Sequence, residues 1–219
     1  MTAMLDASQL RMGSFDAMPD VIPEGIVGEA QVKHVEVSEQ DAKFANLGAS
    51  FRPGGRVDFI SPGRYAKLYV NGELMMSDTD MELRTNRTAV REAHGSVVIG
   101  GLGLGLVPLA MARSGRVTRL TIVEKSQDVI LLVEPHLQRA LAGIPGFPVG
   151  ACQVVCRDVE TWEPVRKGRQ FDYVYMDIWP DICGDDYAQH TRLRMRYRRW
   201  LKPGGRVRSW RYDDVRANR

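Results

Sequence analysis

Four glycines and four carboxylates hold most of the chemistry in this chain. Val97-Val98-Ile99-Gly100-Gly101-Leu102-Gly103-Leu104-Gly105 runs an apolar segment into a glycine turn. Glycines permit a tight turn and let a ligand approach the backbone closely. A helix starting there aims its free N–H groups at that ligand. Alone, the pattern also fits a strand-to-helix turn with no ligand. Glu124 lies roughly 20 residues beyond the turn, where a carboxylate can accept from two ribose hydroxyls. Asp158 suits an exocyclic amino group, or an N-cap for residues 159–162. Asp177 and Asp181 follow a further apolar run. A carboxylate there can take a proton from an amine nucleophile.

These residues require particular elements to position them. The texture from residue 96 alternates strand and helix. The expected strands are 96–101, 119–124, 153–156, 171–177 and 206–212, and the expected helices 104–113, 127–141 and 186–200. On the second helix Val129, Leu132, Val133, His136 and Leu137 share a face. Lys202-Pro203-Gly204-Gly205 reads as a turn before the last strand. Such alternation implies right-handed crossovers and a parallel sheet. The acidic residues then fall at the carboxyl ends of successive strands, where open parallel sheets bind ligands. Earlier in the chain, residues 65–70 and 73–76 flank Asn71-Gly72, the preferred two-residue hairpin turn. Ser38 and Asp41 mark a helix start, and residues 80–91 suit another helix. The expected fold is α/β: a Rossmann-like, mostly parallel sheet with helices on both faces, shortened after its fifth strand and preceded by a small β-hairpin region. Its expected divisions are a mobile segment over 1–22, the hairpin region over 23–92 and the nucleotide-binding unit over 93–219.

At this point the chain resembles the class I S-adenosylmethionine-dependent methyltransferases. The resemblance rests on Gly101-x-Gly103-x-Gly105, Glu124, Asp158, Asp177 and the Lys202-Pro203-Gly204-Gly205 turn. The hairpin Leu68-Tyr69-Val70-Asn71-Gly72-Glu73-Leu74 is similar to the entry hairpin of the spermidine-synthase-like branch. Met76-Ser77-Asp78-Thr79 and Asp177-Ile178-Trp179-Pro180-Asp181 are similar to segments of small methyltransferase-like proteins of bacterial viruses. The resemblance implies S-adenosylmethionine as cofactor, held by Gly100, Gly101, Leu102, Gly103, Gly105, Glu124, Lys125, Asp158, Val159 and Asp177. It implies methyl transfer, with Asp177 as base or as holder of the cofactor's amino group, and Asp181 or Tyr187 positioning the acceptor. Trp179 and Pro180 could wall a planar acceptor, or Trp179 could belong to the core.

Spermidine synthases differ from the chain at several points. They carry an acidic residue where Gly103 stands, a glutamine at Met75 and a Tyr-His-Glu run near Thr85-Asn86-Arg87. Their paired aspartates are three apart, not four like Asp177 and Asp181. Aminopropyl transfer is therefore the second reading, and a non-catalytic cofactor-binding or assembly module the third.

Composition bounds the rest. No stretch approaches the roughly 20 apolar residues of a membrane span, and the expected location is the cytoplasm. Cys152, Cys156 and Cys183 read as reduced thiols rather than metal ligands. Residues 191–219 carry a formal +9, and the first 190 the balance of −6 against a total of +3. That basic segment is either the solvated face of a helix or a nucleic-acid contact. The acceptor is expected to be a small molecule. An open edge after the fifth strand suggests a homodimer.

Overall fold

The computed structural model describes residues 15–50, 59–165, 168–180 and 183–217. Two sheets organise them. The first is antiparallel, in the order β1-β2-β3-β4, from Gly25–Val27, Ala30–Val37, Gly63–Val70 and Glu73–Ser77. The second is parallel, in the order β7-β6-β5-β8-β9. Its strands are β5 (Gly95–Gly100), β6 (Val117–Glu124), β7 (Cys152–Cys156), β8 (Phe171–Met176) and β9 (Leu201–Ser209). Helices flank the strands: α1 (Glu39–Ser50), α2 (Asp80–Glu92), α3 (Leu106–Arg113), α4 (Gln127–Ala142), α5 (Tyr187–Arg198) and α6 (Tyr212–Ala217). The fold is thus the expected α/β architecture, with five parallel strands. No helix among the described residues is long and apolar enough to cross a membrane.

The sequence explains the layering. Val97, Val98 and Ile99 of β5 are fully buried, as a central parallel strand covered on both faces requires. Hydrogen bonds tie this strand to β6 through Ile99↔Ile122 and to β8 through Ile99↔Tyr175. Every described side chain of α3 except Arg113 is buried. On α4 the buried stripe includes Ile130 and Leu141, while His136, expected on it, is only half-buried. The antiparallel sheet docks on α4, where Asp128 Oδ2 accepts from the Glu29 N–H at 2.9 Å. Asn71 and Gly72 both take positive φ in the β3–β4 turn, as the Asn-Gly pair predicts.

Two expectations need correction. Residues 15–22 are packed rather than loose: Phe15, Met18 and Ile22 join the core. Asp78, fully buried where β4 gives way to α2, accepts from the Met18 N–H at 2.9 Å and the Ala66 N–H at 2.7 Å. One carboxylate thereby fastens three segments, and the mixed polarity of residues 15–22 concealed the attachment. Residues 1–14 lie outside the described set. The Lys202-Pro203-Gly204-Gly205 segment lies inside β9, not before it. Phe171 pairs with Leu201 and Tyr173 with Arg206, so the residues between bulge from the ladder. The strand then stops at Ser209, and Tyr212 opens α6.

Candidate functional site

The carboxyl ends of β5, β6 and β8 are knitted together at backbone level. Gly101 donates to the Val123 carbonyl at 2.9 Å, and Asp177 donates to the Gly100 carbonyl at 2.8 Å. Gly101 turns the chain at φ +94°, and a Cβ there would collide with the Asp177 carbonyl oxygen. Gly103, at φ +52°, leaves room instead for the Met76 sulfur. The glycine types are thus required by close backbone approach and by left-handed torsion.

Glu124 joins the turn to the neighbouring strand. Its Oε2 accepts from the Leu102 N–H at 2.9 Å and its Oε1 from the Ser126 N–H at 2.8 Å. Each carboxylate oxygen has two lone-pair directions, so both can accept again. Above this pair opens a cavity of about 460 Å³, a size typical of small-molecule sites. It lies where the strand order reverses between β5 and β8.

The cavity wall is acidic. Among the described residues Glu73, Glu82, Glu124, Asp158, Glu160 and Asp177 line it against one ammonium, that of Lys125. Such a wall favours a positively charged occupant. Burial pushes Asp177 up to about 7. Glu82 comes from α2 and is braced by Asn86, whose Nδ2 donates to its carbonyl at 3.1 Å and its Oε2 at 3.3 Å. Asn86 Oδ1 accepts in turn from the Tyr175 hydroxyl at 2.7 Å. Trp210, just past β9, also lines the cavity and donates to Thr85 Oγ1 at 3.1 Å. The rim is a relay of side chains. Trp179 Nε1 donates to Gln189 Oε1 at 2.6 Å, and Gln189 Nε2 to Glu160 Oε1 at 2.9 Å. The Arg192 guanidinium and Gln189 hold the Glu160 carboxyl below the usual carboxylate range.

The expected site residues divide. Gly101, Leu102, Gly103, Glu124, Lys125, Asp158, Val159 and Asp177 meet on the cavity wall. Asp158 also closes a turn, its Oδ1 accepting from the Glu160 N–H at 2.7 Å, and residues 159–161 form that turn rather than the helix an N-cap would open. Trp179 lines the cavity, is buried, and stacks on His190 with centroids 3.4 Å apart, which places it in the core. Gly100 and Gly105 are not on the wall. Gly100 faces Met176 and Val159 beneath it, while Gly105 opens α3 against Leu137 and Val133. Tyr187 stacks on Tyr212 instead of lining the cavity. Asp181 lies outside the described residues.

Sequence reasoning missed Glu82, Glu160, Gln189 and Trp210 as wall residues. A signal existed for Glu82: it and Asn86 sit one helical turn apart among Leu83, Ala89 and Val90 on the buried face. The Thr85-Asn86-Arg87 run supplies the partners of Trp210 and Glu82. Trp210 carries no local signal, because only the β8–β9 pairing brings it to the cavity.

No protein-family model matches the sequence. No curated protein matches it either. Some solved structures are distantly similar to it. The spermidine synthase of Thermotoga maritima is 15% identical with a TM-score of 0.48, over 86% of this chain and 55% of that one. The CcbJ methyltransferase of Streptomyces caelestis is 18% identical with a TM-score of 0.42, over 57% and 46%. The glycopeptide N-methyltransferase MtfA, solved with S-adenosyl-L-homocysteine, is 20% identical with a TM-score of 0.39, over 57% and 45%. The chain spans about half the length of these structures.

Proposed function

We propose that the chain is an S-adenosylmethionine-dependent methyltransferase whose acceptor carries an amine. The observation that supports this reading best is the Glu124–Leu102 contact at 2.9 Å, which puts a carboxylate and a glycine turn on one cavity wall. The residues present fit the group. Glu124 can accept from a ribose diol, and Asp158 from an adenine amino group. The acidic wall suits a sulfonium cation. When bound, that cofactor supplies a methyl group on a good leaving group, so the protein's main task is alignment. Asp177, with its pKa near neutrality, is suited to receive the proton released by the acceptor nitrogen. Trp179 and Trp210 limit the space in which the acceptor can lie.

Calorimetric titration tests the cofactor. S-adenosylmethionine and S-adenosylhomocysteine should both bind, and no heat at about millimolar ligand would reject the reading. Glu124→Ala should weaken both by on the order of 10-fold or more. Unchanged affinity removes Glu124 from the site.

The carboxylates Glu82 and Asp177, together on one wall, favour aminopropyl transfer to a diamine as the second reading. Product analysis separates the two. Methyl transfer leaves S-adenosylhomocysteine; aminopropyl transfer leaves methylthioadenosine from a decarboxylated cofactor. Cofactor binding without turnover over a broad acceptor panel would favour a binding or assembly module.

A further inference from the structure

A second concavity, of about 560 Å³, runs along β9. Arg169, Arg194, Arg198, Lys202, Arg206 and Arg208 wall it over the backbone of 203–205, and among the described residues no carboxylate lines it. Two rows of cations face one another. Arg206 and Arg208 alternate along β9, about 7 Å apart at strand rise. Arg194 and Arg198 stand one turn apart on α5, about 6 Å along the axis. The rows are close: beyond the effect of burial, Arg198 and Arg208 both repel the charge of Arg194.

Nearby acids neutralise only part of this charge. Glu92 binds Arg208 at 2.8 and 2.9 Å and lies 3.8 Å from Arg206. Asp172 binds Lys202 at 2.7 Å. Arg194 rests over the Tyr212 ring at 4.2 Å. Arg169 and Arg198 meet no carboxylate among the described residues. Elsewhere the same basic stretch is already paired, Arg192 with Glu160 and both Arg196 and Arg199 with Glu163. Arg169, Arg194 and Arg198 of the groove thus have no ion-pair partner among the described residues, and two acids face six cations there.

We propose that this edge holds the sugar-phosphate backbone of a nucleic acid. Regularly spaced cations in an open groove suit a polymer with one negative charge per repeat. The Tyr212 ring is occupied by Arg194 and Tyr187, so the contact reads the backbone and not the bases. Pairing of β9 with a second copy would set like charges against each other, which disfavours a dimer through this edge.

Fluorescence anisotropy of the full chain with mixed-sequence DNA, about 20 nucleotides long and single-stranded or duplex, tests the proposal. Binding should fall roughly 10- to 100-fold between about 50 and 200 mM salt. Arg169→Ala/Arg198→Ala/Arg206→Ala should bind about 10-fold more weakly or worse, with a flatter salt dependence. The matching triple lysine variant should retain both, which separates charge from folding. The assay needs no cofactor, so its failure leaves the cofactor reading standing. No binding at about 50 mM salt, or wild-type affinity in the alanine variant, overturns the proposal. Equal affinity for polyglutamate or for anionic phospholipid vesicles also overturns it, by assigning a different occupant.

Discussion

Six carboxylates reach the acidic cavity from positions spread between Glu73 and Asp177, across five separate stretches of chain. The six cations of the β9 groove all lie between Arg169 and Arg208. The cavity's charge is made by topology, because strand ends from distant segments converge at a reversal in sheet order. The groove's charge is made by local composition, because one helix and the strand after it are both rich in arginine. A formal net charge of +3 describes neither region. Their signs oppose, so a cationic ligand and an anionic polymer would be drawn to different faces.

The largest expected effect lies on the cavity side. Gly101→Ala puts a Cβ against the Asp177 backbone oxygen at a left-handed φ, and backbone cannot move aside cheaply. Cofactor affinity should fall by about 100-fold or more, with a lowered Tm. Gly103→Ala meets the end of the flexible Met76 side chain instead, so its loss should be smaller. Calorimetry that found the two equal would break the account of backbone convergence.

Asp177→Asn comes next. A base role predicts turnover about 100-fold lower or worse, with cofactor affinity kept within about threefold. A tenfold loss of cofactor affinity would assign Asp177 to the amino group instead. Stability gives a second readout. The folded pKa is raised from 3.8 to about 7, so the stability this group confers as an acid is present below pH 3.8 and is lost as pH rises through 7. The Asn variant should therefore gain in Tm over the parent as pH rises from about 5 to 8, by several degrees at most.

His190 sharpens the comparison where the two regions meet. It lies on α5, fully buried against Trp179 of the cavity rim, its ring nitrogens have no hydrogen-bond partner among the described residues, and burial pushes it down to about 4. The unfolded chain binds a proton near 6.5 that the folded one refuses until about 4, so stability should fall as pH drops through that window. His190→Phe should flatten that loss in thermal melts. The smallest effect is Arg192→Ala, which breaks an exposed pair with Glu160. It should cost under about 1 kcal/mol, or a Tm change of a few degrees at most.

Much of the fold was legible because its signals are local. The Val97–Gly101 run, the Asn71-Gly72 turn and the alternation of strand and helix each follow from short-range sterics and side-chain patterning. The position of Glu124 was legible for the same reason: it ends its strand at a fixed spacing from the glycine turn. The attachment of Met18 to Asp78 was not, since 60 residues separate them. Nor was the bulge inside β9, because a Lys-Pro-Gly-Gly run reads as a chain-reversing turn until the strand beside it is known.

The amino-acid order by itself determined which strands end in acid, where glycine was needed and where positive charge would gather, for those follow from residue type and short spacing. Only the tertiary structure decided that Glu82 and Trp210 share a wall with Asp177, and that Arg194 and Arg198 face Arg206 and Arg208. The reason is physical. A side chain's neighbours across a sheet or beneath a helix depend on strand order and register, which emerge from packing of the whole chain and not from any window of it.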